Sequence, residues 1–227
     1  MSNYLPEAER AAIRPKVLHA AARMFLEEGY AHSTTREIAR RAGVNVSNMN
    51  RYFGVKENIL CELVDYVLEG QMRTAKAILG EKTQDPILFY AAETTLQLYM
   101  AEHSEAVREL YSVAYSMPHS AERIHRAVTD LLVSKVFQPF YPEYTREDFY
   151  ELEIASGGII RGFMVEPCTE EFTMEHKVQR YLETSLRIYR VPEEKIQEAI
   201  EFVKQFDYSA IAGQTIQGML DHLEERK

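Results

Sequence analysis

Residues 34–60 read TTREIARRAGVNVSNMNRYFGVKENIL, and they gather Arg36, Arg40, Arg41, Arg51 and Lys56 in a chain whose formal net charge is -9. Apolar side chains fall on both sides of Gly43 at helical spacing. The pattern predicts a short helix from about Thr35 to Ala42, a tight turn at Gly43, and a second short helix from about Val46 to Phe53. Ile38 and Ala39 in the first helix, Val44 in the turn, and Met49 and Phe53 in the second supply the buried faces. Ala39 and Ala42 are small enough to let the two helices cross closely. That packing turns Val46, Ser47, Asn48, Asn50 and Arg51 outward. Such short, polar or cationic side chains suit the base edges and phosphates of a DNA major groove. Asn45 is placed to cap the second helix, whose first N–H groups could also meet a phosphate oxygen. A plain packing unit with Arg40 and Arg41 on a solvated face is the bland alternative.

The charge is divided along the chain. Residues 1–56 hold nine Lys/Arg against five Asp/Glu, or +4, and the rest holds 17 against 30, or -13. A basic head on an acidic body can approach a polyanion while the body stays in solvent. The 227 residues, 46% apolar and 27% charged, fit a globular chain with a small head on a larger body. No apolar run reaches the roughly 18 residues of a membrane span. The N-terminus MSNYLPEAERAAIR lacks a signal-peptide core. Cys61 and Cys168 do not form a disulfide framework. Together these point to a cytoplasmic protein with no membrane partner.

Helical periodicity runs nearly throughout and no strand pattern emerges, so the fold class is all-α with about ten helices. The first helix carries Ile13, Val17, Ala20, Ala21, Met24 and Phe25 and stops at Gly29. A longer helix from Lys56 presents Ile59, Leu60, Leu63 and Val67, and breaks near Gly80. Asp85 and Pro86 open the next, with Leu88, Ala92, Thr95, Leu96 and Tyr99 inward. Ser104 caps another. Ser120 is expected to start a helix with Ile124, Val128, Leu131 and Lys135 on one face. Thr145 and Asp148 resemble a capping box for a helix to about Glu166, which carries Phe149, Leu152, Ser156, Ile159 and Phe163 spaced three and four. Helices over about 174–190, after Pro192 and after Asp207 complete the chain. The expected division is a DNA-binding head at 1–56, a connecting helix at 57–79 and a body at 80–227.

The segment FLEEGYAHSTTREIARRAGVNVSNMNRYFGVKENIL resembles the N-terminal DNA-binding domain of the TetR family of bacterial transcriptional regulators. The carriers are Phe25, Gly29, Thr34/Thr35, Ile38-Ala39, Ala42-Gly43-Val44, Phe53 and Lys56-Glu57, within roughly residues 12–64. The resemblance implies that Thr35 and Arg36 face DNA, with Arg36 able to reach a guanine. It implies that Val46, Ser47 and Asn48 open the recognition helix toward bases, and that Arg51 and Tyr52 lie on the backbone. Lys56 would neutralise a phosphate. Asn50 stands where the family usually has tyrosine, so operator preference is not inherited, and Asn50 could instead pair with an adenine. The implied partner is a double-stranded, roughly palindromic DNA operator, bound by a homodimer and released by a small ligand; the implied role is a repressor.

For the body, the resemblance implies dimerisation and a ligand pocket. Ala155, Gly158 and Gly162 make a small-residue stripe on the 145–166 helix that lets backbones approach closely. Each glycine costs about 1 kcal/mol there, which a partner subunit's helix would offset. With Ile159, and with Leu182 and Ser185 on the next helix, these are the expected interface residues; close packing within one subunit is the alternative. The aromatic-rich segment 89–141 supplies Phe89, Tyr99, Met100, Tyr111, Tyr115 and Phe137 as candidate lining for an unidentified, mostly apolar ligand. Aromatics at this spacing also read as ordinary core. No metal pair, phosphate loop or cofactor motif appears: His103, His119 and His125 lack ligand spacing and Cys61 lacks a nearby His, so neither an enzyme nor a cofactor is expected. The competing functional readings are a DNA-binding protein with no small-molecule ligand, controlled by a protein partner or acting architecturally, and a helical enzyme that kept a helix-turn-helix.

Overall fold

The computed structural model describes residues 7–80 and 82–226, with side chains from residue 11 onward. Residues 1–6, part of the stretch read for an export signal, lie outside the described residues, as do the side chains of Glu7, Glu9 and Arg10. The described residues form helices, nearly all of them α, and connecting turns, with no strand among them. None of these helices is long and apolar enough to cross a membrane.

Four helices build the head and its link: α1 Glu7–Glu28, α2 Thr35–Ala42, α3 Val46–Phe53 and α4 Lys56–Leu79. Gly29, at φ 80°, ends α1 in the left-handed region that glycine adopts without strain. Thr34 accepts a hydrogen bond from the Glu37 N–H and so caps α2. Val17, Met24, Phe25, Ile38, Ala39, Met49, Phe53 and Ile59 are buried in one core. Leu18 and Ala22 are buried too, on sides of α1 that the spacing left open. The cause is that α1 also packs against α6 Glu105–Ala114 and α12 Tyr208–Glu225, so it is shared between head and body.

The body is arranged around α5 Pro86–Glu102, which is capped by Asp85 and starts on Pro86 as expected. A single inward face was expected, but α5 is buried around its circumference because α4, α6, α9 to α12 all pack on it. Here α9 is Arg146–Val165, α10 is Met174–Ile188 and α11 is Glu193–Val203. The Thr145–Asp148 capping box of α9 is present.

Two registers differ from expectation. Helix α7 spans Pro118–Val128 and begins two residues before Ser120. Proline is tolerated in the first helical turn, where its missing N–H has no partner to lose. Ser120 instead turns inward and donates to the Ala114 and Met117 carbonyls. The chain then passes through a π-helical turn, Thr129–Val133, into α8 Ser134–Phe137. The wider turn shifts the inward face by one residue. Leu132 and Val136 are buried, whereas Leu131 is 46% exposed and Lys135 also faces solvent. On α9 the buried line is Phe149, Glu153, Ser156, Gly157, Ile160 and Met164, with Leu152, Ile159 and Phe163 half-buried at its edge.

The body buries polar groups that periodicity did not disclose. The Tyr90 hydroxyl sits 2.5 Å from Ser185 Oγ and 3.0 Å from the Tyr181 hydroxyl. Lys177, 1% exposed, pairs with Glu102 at 2.7 Å and donates to the Glu166 carbonyl. Glu93 is fully buried; its Oε1 accepts from Gln97 at 2.6 Å, and its Oε2 has no partner among the described residues. Burial pushes the Glu93 carboxyl up to about 7, the negative charge of Glu153 adds to the rise, and the Gln97 amide opposes it.

This shift fixes a sign. An acid whose pKa is raised from 4.5 to about 7 on folding keeps a proton that the unfolded chain releases. Stability therefore falls as pH rises across that window and the penalty is complete above it. Glu93→Gln should raise the melting temperature at pH 8, by a stability gain on the order of 2–3 kcal/mol, and have little effect near pH 4. Equal effects at both pH values in thermal unfolding would rule out this origin.

Candidate nucleic-acid interface and the cavity behind it

The geometry of α2 and α3 starts at the turn between them. Gly43 adopts φ 63°, and its N–H returns to the Ala39 and Arg40 carbonyls. Asn45 then caps α3, its side chain accepting from the Ser47 N–H at 2.8 Å. Met49 and Phe53 plug into the core, and the other side of α3 meets solvent. Asn45, Ser47, Asn50 and Arg51 are exposed, while Val46, Asn48 and Tyr52 are half-buried at the edges of that face. At the start of α2, Arg36 is exposed and Thr35 is half-buried. Tyr52 lies edge-on to Phe53, with ring centroids 4.3 Å apart.

The cations divide into two groups. Arg40 is held by Glu37, whose two oxygens lie 2.5 and 2.8 Å from guanidinium nitrogens. Arg41 pairs with Glu27 at 3.0 Å and with Glu28. The Arg40 guanidinium holds the Glu37 carboxyl down at about 2. These two arginines are the solvated, neutralised face. Arg36 and Arg51 join none of the ion pairs among the described residues and stand in solvent with their charge available. Lys56 differs from both: its Nζ donates to the Tyr30 carbonyl at 2.7 Å and the Ser33 carbonyl at 2.9 Å, and lies over the Tyr30 ring. An ammonium carries three protons, so one remains for an outside acceptor.

Behind the head lies an apolar cavity of about 110 Å³. Its walls come from α1, α4, α5, α6, α7 and α12 and include Leu63, Val64, Leu110, Ile124 and Leu220. Of the six residues expected to line a pocket, Met100, Tyr111 and Tyr115 do so. The other three do not. Phe137 is stacked on Tyr189 with centroids 3.9 Å apart, Tyr99 is stacked on Tyr208 at 5.5 Å, and half-buried Phe89 packs against the core elsewhere. The spacing missed Gln71 and Gln97, which the cavity brings beside these aromatics. A fully buried glutamine in α4 opposite a buried glutamine in α5 leaves no trace in single-helix periodicity.

Cavity and head are tied by short polar links. Val107, Leu110 and Tyr111 line the cavity from α6, and the same helix carries Glu109. The Glu109 carboxylate accepts from the Ala31 N–H at 3.2 Å and fills the space beside Gly29 where a Cβ would stand. At the other edge, Glu57 of α4 accepts from the His119 N–H at 3.0 Å, at the start of α7. Ala22 and Leu26 of α1 form part of the cavity wall directly.

On the far side of the body, Ala155, Gly158 and Gly162 form an exposed line on α9, with Ile159 half-buried beside it. Among the described residues outside that helix's own backbone, nothing approaches within 4 Å of a Cβ placed at Gly158 or Gly162. Close packing within the subunit does not account for these glycines. Leu182 and Ser185, expected at the same interface, face inward instead: both are fully buried, and Ser185 is engaged by Tyr90 and Ser156. The hydroxyl cluster claims the side of α10 that the spacing had offered to a partner.

Residues 17–63 match the model of the family described as bacterial regulatory proteins, tetR family. The probable HTH-type transcriptional regulator YttP of Bacillus subtilis (strain 168) is 27% identical over 106 residues, covering 45% of this chain and 50% of that protein. The match thus spans about half the length of this curated relative. Among solved structures, RolR in complex with resorcinol superposes with a TM-score of 0.62 at 15% identity, over 88% of this chain and 97% of that one. SmeT, the repressor of the Stenotrophomonas maltophilia multidrug efflux pump SmeDEF, gives a TM-score of 0.53 at 20% identity, over 77% and 88%. At these identities the two structures establish a shared fold.

The two classes of exposed and half-buried cation should separate in unfolding experiments. Lys56→Met strips a charged donor from two backbone carbonyls and should cost about 2 kcal/mol. Arg51 has no bonded partner among the described residues, so Arg51→Ala should stay within about 0.5 kcal/mol of wild type. Urea unfolding of both variants measures the difference, and equal midpoints would contradict the assigned bonding of Lys56.

Proposed function

We propose that this chain, whose residues 17–63 match the model of the tetR family of bacterial regulatory proteins, is a member of that family and a cytoplasmic transcriptional repressor. It binds a roughly palindromic DNA operator as a homodimer and is released by a small, mostly apolar ligand. The observation that carries the reading is the solvent-facing side of α2 and α3, where Arg36 and Arg51 join no ion pair among the described residues while Arg40 and Arg41 are neutralised by glutamates.

In this reading α3 enters the major groove. Val46, Ser47, Asn48 and Asn50 address base edges, with Asn50 able to pair with an adenine and Arg36 with a guanine. Thr35, Asn45, Arg51, Tyr52 and the remaining proton of Lys56 hold the phosphate backbone, and these contacts set register rather than sequence. Two heads would span successive grooves about 34–36 Å apart. The exposed Ala155–Gly158–Gly162 line, beside Ile154 at 48% exposure, supports α9 as the dimer contact. A ligand in the cavity would act on α1, α4 and α6 together, because all three supply its walls. It releases DNA to the extent that it favours a head spacing the operator does not fit.

The test uses a duplex selected by the protein from a random-sequence library and fluorescence anisotropy across a salt series. Arg36→Ala and Arg51→Ala should each weaken binding, by about tenfold for a lost base or phosphate contact. Arg51→Ala should also flatten the salt slope by about one unit, whereas Arg40→Ala should change little. Gly158→Glu should yield a monomer by light scattering and lose tight binding. Equal affinities for Arg36→Ala, Arg51→Ala and wild type would sink the assignment.

A further inference from the structure

We infer that the cavity is shaped for a neutral, single-ring molecule carrying one hydrogen-bond donor, a phenol by chemical class, whose hydroxyl donates to Gln71 Oε1. The inference rests on the effector reading above and gives that site its ligand chemistry.

Size comes first. The cavity measures about 110 Å³, and a dry protein cavity of roughly 150 Å³ takes up benzene. One ring is therefore the scale, with Met100 and Met219 in the wall able to yield the small remainder. Charge is next. No Lys, Arg, Asp or Glu lies among the described lining residues, so an ionised ligand would lose its water with nothing in return. The buried acids Glu93 and Glu153 lie outside the lining, Glu93 with its Oε1 on Gln97 and Glu153 with its carboxylate on His125 and Tyr189.

The polar requirement comes from Gln71. This residue lines the cavity and is fully buried. Its Nε2 donates to the Tyr111 hydroxyl and faces the Met100 sulfur at 3.7 Å. A thioether sulfur is an acceptor, so that end of the amide is the nitrogen. The other end, Oε1, is buried with no partner among the described residues. Gln97, the second amide in the wall, has both ends engaged, by Glu93 and by the Tyr115 hydroxyl at 3.5 Å. The unmet demand of the site is therefore for a donor. An ether or ketone of the same size would add an acceptor beside an unpaired acceptor, and a hydrocarbon would leave Oε1 as it is. A hydroxyl on the ring satisfies it and keeps the remaining surface apolar.

Calorimetric titration of the full chain with phenol, anisole and toluene tests this. Phenol should bind about tenfold tighter than the other two. Gln71→Met, which keeps length and removes the acceptor, should abolish that preference while toluene still binds. Anisole or toluene binding as tightly as phenol would overturn the inference, as would a preference that survives in Gln71→Met or a failure of all three to bind. If Gln71→Met does not fold, the wild-type ranking decides. Adding phenol to the complex with the selected duplex separates the two readings. Release of DNA supports both, whereas tight phenol binding with the DNA retained upholds the ligand chemistry and overturns the effector role.

Discussion

The left-handed turn at Gly43 is the constraint on which the exposed face of the head depends. At φ 63° the chain reverses within one residue, and the Gly43 and Val44 N–H groups return to carbonyls of α2. Among the described residues beyond its own chain neighbours, no heavy atom stands within 4 Å of where a Cβ would be, so backbone conformation rather than crowding asks for glycine here. Once the turn is made, α3 can bury only one side. Met49 and Phe53 take it, and the opposite side is left to polar residues and one arginine. Exposure of that face follows from the apolar packing beneath it.

The second constraint is the sharing of α1. Its front packs the head core, while Ala22 and Leu26 reach the cavity and its back rests on α6 and α12. A group placed in the cavity therefore touches the same helix that supports α2 and α3. Carboxylates reinforce the connection at two edges, Glu109 on the α1–α2 turn and Glu57 on the start of α7. Head and body do not meet through a slack linker but through packed side chains and short polar contacts.

Local chemistry was legible wherever one residue type answers one local need. The ends of α2, α3 and α4, the start of α5, the Asn45 and Asp85 caps and the Thr145–Asp148 box could all be read from the residues. The choice between paired and unpaired arginines could not. Arg41 is neutralised by Glu27 and Glu28, more than ten residues away along the chain. The body was less legible because its helices are buried on more than one side, so periodicity cannot say which neighbour lies where. The π-helical turn at Thr129–Val133 moved a whole face by one residue without any glycine or proline inside it to announce the shift. Leu182 and Ser185 have the character of either core or interface, and only the Tyr90 hydroxyl opposite Ser185 decides between them. Three of the six aromatic or methionine lining candidates fell together, yet the two glutamines that give the cavity its polarity are ordinary surface residues by composition.

Amide hydrogen exchange on the full chain, with and without a duplex selected from random sequence, tests the central claim most directly. A head that grips duplex DNA through α2 and α3 predicts slowed exchange concentrated between Thr34 and Lys56. Protection confined to the body, with that segment exchanging at its free rate in the bound complex, would contradict it.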